Sequence, residues 1–186
     1  MDTYTKTIFS IGHGSRKLND FINLLKKFQI KYVIDVRSKP RSRFHPHFNK
    51  ESLTLHLKEA NIRYVFMGDL LGGIPKDDKC YDEDGRVDYE SIKNMDFFHE
   101  GINRIKTAYT KKIKVVCMCS EISPCDCHRS KLIGDYLLES GIEMQHIDKK
   151  GELRSQKEVM NEILGNTSLE LFPNEKIKLK SRNSYR

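Results

Sequence analysis

Apolar positions along the chain switch repeatedly between a strand-like run and a helical period. Thr7 to Ile11 is a short apolar run that ends in Gly12-His13-Gly14. Leu18, Phe21, Ile22, Leu25 and Phe28 then recur at helical spacing, which predicts an amphipathic helix. Tyr32–Val36 is nearly continuous in β-branched and apolar residues, as in a strand buried on both faces. Asn49 is placed to cap a helix running to Ala60, and Ile62–Phe66 reads as a third strand. The stretch from Met67 to Val87 is long and glycine-rich, and Tyr89–Tyr109 is helical with a break near Met95 and Asp96.

The densest unit follows. Val115–Met118 is a strand-like run that empties into a loop, and a helix starts near His128 or Arg129 and stops at Gly141. Glu143–Ile147 is a fifth strand. Ser155 and Glu158 form a capping box for a last helix to about Leu164. This alternation predicts an α/β fold of three layers, with about five mostly parallel strands and helices on both faces, Rossmann-like or rhodanese-like. Right-handed crossovers gather the strand C-terminal ends on one edge, where ligands bind. The expected organisation is one domain over 1–165 and a basic, flexible tail over 166–186.

Composition narrows the class. The chain has 186 residues, 38% hydrophobic and 32% charged, and no apolar run near the ~20 residues of a membrane span. MDTYTKTIFSIG carries no charged segment followed by an apolar one, so no secretory signal is expected and the expected location is cytoplasmic. The net charge is +7, and the tail contributes Lys176, Lys178, Lys180, Arg182 and Arg186 against Glu170 and Glu175. A basic tail can assist nucleic-acid binding or be a solvated terminus.

Chemistry-bearing residues gather after the strands. Cys117, Cys119, Glu121, Cys125 and Cys127 fall within eleven residues, followed by His128 and Arg129. Four of the chain's five cysteines lie here, and an odd total gathered in one loop points to reduced thiols with a site role rather than a disulfide framework. Cys127, beside His128 and Arg129 at a helix start, is a candidate nucleophile, with a small packing residue as the competing reading. Glu121 and His13 are candidate acid/base groups. Asp35 is expected to orient Arg37 or loop amides. The loop Arg37–Phe48 interleaves Lys39, Arg41, Arg43, His45 and His47 with Phe44 and Phe48, which suits phosphate gripping and base stacking. Arg37, Arg129, Arg41 and Arg43, with Asp35, Gly72 and Gly73, form the expected ligand site. The Cys117-x-Cys119 and Cys125-x-Cys127 pairs are tighter than the knuckles of structural zinc, so neither a metal nor another cofactor is expected.

The ordered set Ile11-Gly-His, Phe21, Asp35-Val-Arg37, Leu70-Leu-Gly-Gly, Cys119-Ser-Glu and Cys127-His-Arg resembles the DUF488 family, a domain of unknown function. By position His13, Asp35, Arg37, Gly72, Gly73, Cys119, Glu121, Cys127, His128 and Arg129 match its motif residues, while Cys80, Cys117 and Cys125 do not. Gly14 stands where the family has a serine. The resemblance implies a compact α/β fold and little about activity. Asp35-Val-Arg37 and Arg129-Ser130 are also similar to rhodanese-like sulfurtransferases, although the loop lacks the rhodanese Cys-x4-Arg spacing. The expected function is binding of a phosphate-bearing small molecule or nucleic acid at the strand edge, with enzymatic use of Cys127, His128, Glu121 and His13. A non-catalytic nucleic-acid-binding module and a rhodanese-like sulfurtransferase are the alternatives.

Overall fold

The computed structural model describes residues 6–165 and 179–186. The chain runs through β1 (Ile8–Gly12), α1 (Leu18–Lys27), β2 (Tyr32–Asp35), α2 (Lys50–Glu59) and β3 (Arg63–Phe66). The long glycine-rich stretch then contains α3 (Gly68–Leu71) and β4 (Arg86–Asp88). α4 (Tyr89–Lys93) and α5 (Asp96–Thr110) meet at the expected break around Met95. β5 (Val115–Cys119) leads through a loop and a π-helical turn, Arg129–Gly134, into α6 (Asp135–Glu139). β6 (Met144–Ile147), β7 (Leu153–Ser155), α7 (Gln156–Ile163) and β8 (Lys180–Ser184) complete the order.

Six strands form the central sheet in the order β3-β2-β5-β1-β6-β7. All neighbours are parallel except β7, which pairs antiparallel with β6. The fold is therefore α/β with a mostly parallel sheet. Side-chain alternation sends the strands into two apolar clusters. Phe9, Ile11, Val33, Val116 and Met118 pack with Phe21 and Leu25 of α1 and Leu53 and Leu57 of α2. Ile8, Ile34, Val115, Cys117 and Cys119 pack with Ile102 and Ile105 of α5 and with Leu132, Ile133 and Leu137.

Helix ends follow local chemistry. Gly141 takes φ +75° after α6, and the Gly141 and Ile142 N–H groups bond back to Leu138 and Leu137, closing a Schellman turn. The Ser155–Glu158 capping box is present in both directions. Asn49 occupies the N-cap position of α2, but its side chain accepts from the Ser42 N–H at 2.6 Å instead of from the helix. The side chain closes the cationic loop rather than the helix end.

The tail reading needs correction at its end. Residues 166–178 lie outside the described residues, but Lys180–Ser184 is a strand paired antiparallel with β4. Ser181 Oγ accepts from the Val87 N–H at 2.8 Å, and Lys180 meets Asp82 at 2.6 Å. Among the described residues no helix is long and apolar enough to cross a membrane.

Strand order sets the site. From β1 the chain crosses to β2 on one side, and from β5 it crosses to β6 on the other. The direction of winding therefore reverses between β1 and β5, whose last residues, Gly12 and Cys119, are partners in register. A crevice opens at such a switch point, beyond the strand ends.

Candidate functional site

The two strand ends are stitched together at the switch point. His13 N–H donates to Cys119 O at 2.9 Å and Gly14 N–H to Ser120 O at 3.0 Å. Gly12 is required here, because a Cβ would lie 1.9 Å from the Glu121 carbonyl oxygen. The loop then turns in a single 3-10 turn, Pro124–Asp126, and enters the π-helical turn. Such π segments recur at functional sites, since the extra residue re-aims side chains. Ser130 Oγ holds this corner by donating to the carbonyls of Pro124 and Cys127.

Four polar side chains converge under this loop. Cys119 thiol donates to Glu121 Oε2 at 2.8 Å, and Cys127 Sγ lies 3.4 Å from the same oxygen. His128 Nδ1 is 3.7 Å from Cys127 Sγ and 3.9 Å from Cys119 Sγ. His128 Nε2 donates to Val36 O at 3.1 Å, which leaves Nδ1 to face the sulfurs. Burial by itself would raise the Cys127 thiol, but the hydrogen bond with Cys119, the Arg129 charge and His128 outweigh it and hold Cys127 well below the usual thiol range. The same hydrogen bond, and then burial, pushes Cys119 well above that range. The pair thus divides into one thiolate and one thiol. Burial opposes the charged form of His128, yet the Cys127 thiolate raises its pKa.

Arg129 supplies the charge from below. It is fully buried. Its Nε donates to Cys127 Sγ at 3.2 Å, and its two terminal nitrogens donate to Ser10 Oγ at 3.0 Å and to the Glu121 carbonyl at 2.7 Å. With His146 neutral and its Nε2 donating to Gln156 Oε1, Nδ1 accepts from the Ser10 hydroxyl at 2.6 Å. His146 Nε2 then donates to Gln156 Oε1 at 2.7 Å, and Gln156 Nε2 to Ser130 O at 3.0 Å. This closed relay fixes a neutral His146, whose pKa is lowered to about 4 by burial and then by Arg129. The expectation that Arg129 grips a ligand anion is therefore corrected: its guanidinium is enclosed and directed at Cys127.

The cluster opens into a cavity of about 160 Å³ lined by Cys119, Glu121, Cys127, His128, Arg37 and Tyr89. Gly73 faces it, and a Cβ there would meet the His128 ring at 2.9 Å. Ser181, Arg182, Asn183 and Tyr185 form its far wall. Those four belong to the end of the chain read as a tail. Lys180–Ser184 is polar at every position, so no apolar period marks it as a strand. Tyr89 is likewise new, and being buried its hydroxyl is pushed well above the usual range.

Arg37, Lys39 and Ser120 also line a second hollow, about 310 Å³, with His13, Arg41 and His45. Among the described residues, no acidic one lines it. Asp35 holds Arg37 through Oδ1 to Nε at 2.9 Å and Oδ2 to a terminal nitrogen at 2.6 Å, and Tyr64 hydroxyl donates to Asp35 at 2.6 Å. Arg37 also donates to Phe48 O at 2.8 Å and to His13 Nε2 at 3.1 Å. His13 Nδ1 donates to Gly14 O at 2.9 Å. Both His13 nitrogens are thus engaged, and burial lowers its pKa to about 4. As placed, His13 positions Arg37, and no ring nitrogen is left for the acid/base role expected of it. Gly72 lies away from both hollows, packed so that a Cβ would meet Gly68 O at 2.2 Å. Arg43 is exposed and lines neither hollow.

The ligand atoms of Cys119, Cys127 and His128 all lie within 4.8 Å of one another, close enough to share a metal ion. Cys117 sits fully buried two residues earlier, its thiol pushed up to about 12 by burial. Cys125 is half-buried and outside the cluster.

No curated protein and no solved structure matches the chain. A comparison with protein families matches residues 17–137 to the domain of unknown function DUF488. The matched segment contains Arg37, Gly73, Cys119, Glu121, Cys127, His128 and Arg129, and leaves His13, His146 and β8 outside it. With most of its length covered by that match, the chain belongs to the DUF488 family.

Proposed function

We propose that the protein binds a phosphate-bearing ligand of the nucleotide class in the cationic hollow and presents it to the Cys119–Glu121–Cys127–His128 cluster for reaction. One observation carries this reading. The hollow of His13, Arg37, Lys39, Arg41 and His45 has no acidic lining among the described residues and shares Arg37, Lys39 and Ser120 with the cavity of the cluster. A dianion there meets several cations at once, and charge-assisted hydrogen bonds are worth roughly 1.5–3 kcal/mol each. Arg37 is pre-set by Asp35, so little of its entropy is lost on binding. Phe44 stands on the same loop, 87% exposed, with a free face for a base. In the metal-free protein the reactive atom is Cys127 Sγ, a thiolate within reach of the His128 and Glu121 side chains. The strand-end position at a winding switch and the three-layer, Rossmann-like arrangement suit such a ligand.

Calorimetric titration with inorganic phosphate, pyrophosphate and a mononucleotide tests the reading. Wild type should bind, with affinity falling as salt rises. Lys39→Ala and Arg41→Ala, both at exposed positions, should weaken binding by roughly 10- to 100-fold without loss of stability. Absence of binding by any of the three anions at low salt would overturn it.

A further inference from the structure

Neighbouring cysteines along the chain do not make a metal site here, but the fold brings together one member of each Cys-x-Cys pair. We propose that Cys119, Cys127 and His128, completed by Glu121, bind one thiophilic divalent cation of the zinc class. In a tetrahedral zinc site with ordinary bond lengths, the edges from sulfur to nitrogen or oxygen are roughly 3.5 Å. The edges here are 3.9 Å and 3.7 Å from the two sulfurs to His128 Nδ1, and 3.4 Å from Cys127 Sγ to Glu121 Oε2. The remaining edge, 2.8 Å from Cys119 Sγ to Glu121 Oε2, is a direct thiol-to-carboxylate hydrogen bond that a cation would replace. Cys119, Cys127 and His128 are buried, which lowers competition from water for the site.

The surroundings have the form of an outer shell. A ligating histidine ordinarily donates its other ring nitrogen to a carbonyl or carboxylate, and His128 Nε2 donates to Val36 O at 3.1 Å. Arg129 Nε and backbone N–H lie 3.2 Å and 3.5 Å from Cys127 Sγ, as N–H donors to a metal thiolate do. Gly73 leaves room for the His128 ring. All four donors line the cavity that adjoins the cationic hollow, so the ion faces the ligand region and not the sealed core. The inference deepens the proposed function: a cation at this place would polarise a substrate oxygen or activate water beside the bound phosphate compound. Two cysteines and a histidine with a glutamate are also the side-chain types with which zinc nucleobase deaminases activate water, although there the glutamate is not a ligand.

Cobalt(II) titration of reduced, chelator-treated full-length protein tests this without any phosphate ligand. The expected result is one ion per chain. It should show sulfur-to-cobalt charge-transfer absorption in the near ultraviolet and the intense visible bands of a tetrahedral ion, both erased by added zinc. Cys127→Ser and Cys119→Ser should weaken binding by at least roughly tenfold. Cys125→Ser should leave the spectrum unchanged. If Cys119→Ser does not fold, the wild-type and Cys127→Ser spectra decide. A folded wild type without sulfur-to-cobalt absorption overturns the proposal, as does a spectrum that survives Cys127→Ser or is lost in Cys125→Ser. Phosphate titration in the presence of chelator reads the cationic hollow separately, so failure of one reading is distinct from failure of the other.

Discussion

His128 donates from Nε2 to the Val36 carbonyl at 3.1 Å, and this single bond decides which nitrogen meets the sulfurs. Val36 follows β2 and His128 follows the loop after β5, so two strand ends cooperate to aim one ring. Nδ1 is left pointing at Cys127 and Cys119. The orientation is as important to the site as the identity of the residue.

Arg129 is expected to act on stability and on Cys127 together. Arg129→Ala removes the cation beside a buried thiolate and leaves Ser10 and the Glu121 carbonyl without a donor. Loss of one member of a buried charge pair costs about 3–5 kcal/mol. Denaturant unfolding should show a loss of that size, and the alkylation pH profile of Cys127 should move upward. Unchanged stability would mean that the guanidinium does not occupy the interior.

Acid sensitivity follows from two buried neutral histidines. His13 and His146 are both lowered to about 4, mainly by burial, against about 6.5 in an unfolded chain. Between those values the unfolded chain takes up protons that the native state refuses, so stability falls as pH drops from about 6.5 to 4. The loss is up to about 3 kcal/mol for each histidine. His128 has the opposite sign: its raised pKa contributes stability below about 6.5 that is lost as pH rises through its folded value. Chemical denaturation at stepped pH should show the acid limb, shallower in His146→Gln. A flat profile between pH 6.5 and 4 would contradict the neutral relay.

The end of the chain should matter to both fold and cavity. Ser181→Ala leaves the buried Val87 N–H without its acceptor, which costs about 1–3 kcal/mol. Removal of residues from Leu179 onward takes away Ser181, Arg182, Asn183 and Tyr185 from the cavity wall. Urea unfolding and phosphate titration on both variants read these effects. Wild-type behaviour of the truncated chain would show that β8 is not docked in solution.

The difference between what could and could not be read in advance has a physical basis. Strands with dense apolar runs, such as Tyr32–Asp35 and Val115–Cys119, announce themselves, because they are buried on both faces and nearly every position is apolar, with Asp35 the charged exception at a strand end. β8 reads Lys-Ser-Arg-Asn-Ser, and its pairing with Arg86–Asp88 is set by contacts almost a hundred residues away in sequence. Local pattern carries no trace of that partner. The cysteine loop was visible as a site for the same reason that its geometry was not. Residue types and strand-end position are local, whereas the burial of Arg129 depends on Ser10 and on the relay through His146. Spacing in the sequence pairs Cys117 with Cys119 and Cys125 with Cys127. The fold instead joins Cys119 with Cys127, across the turn at Pro124–Asp126.

Protection of Cys127 by a phosphate compound tests the central claim most directly, because it requires the cationic hollow and the sulfur cluster to serve one ligand. In chelator-treated protein, Cys127 alkylation is followed by peptide mass spectrometry while a mononucleotide is titrated in. The account predicts that labelling of Cys127 slows in step with ligand occupancy, that Cys125 labelling does not, and that Lys39→Ala with Arg41→Ala abolishes the protection. Labelling of Cys127 that stays constant at saturating mononucleotide would contradict it.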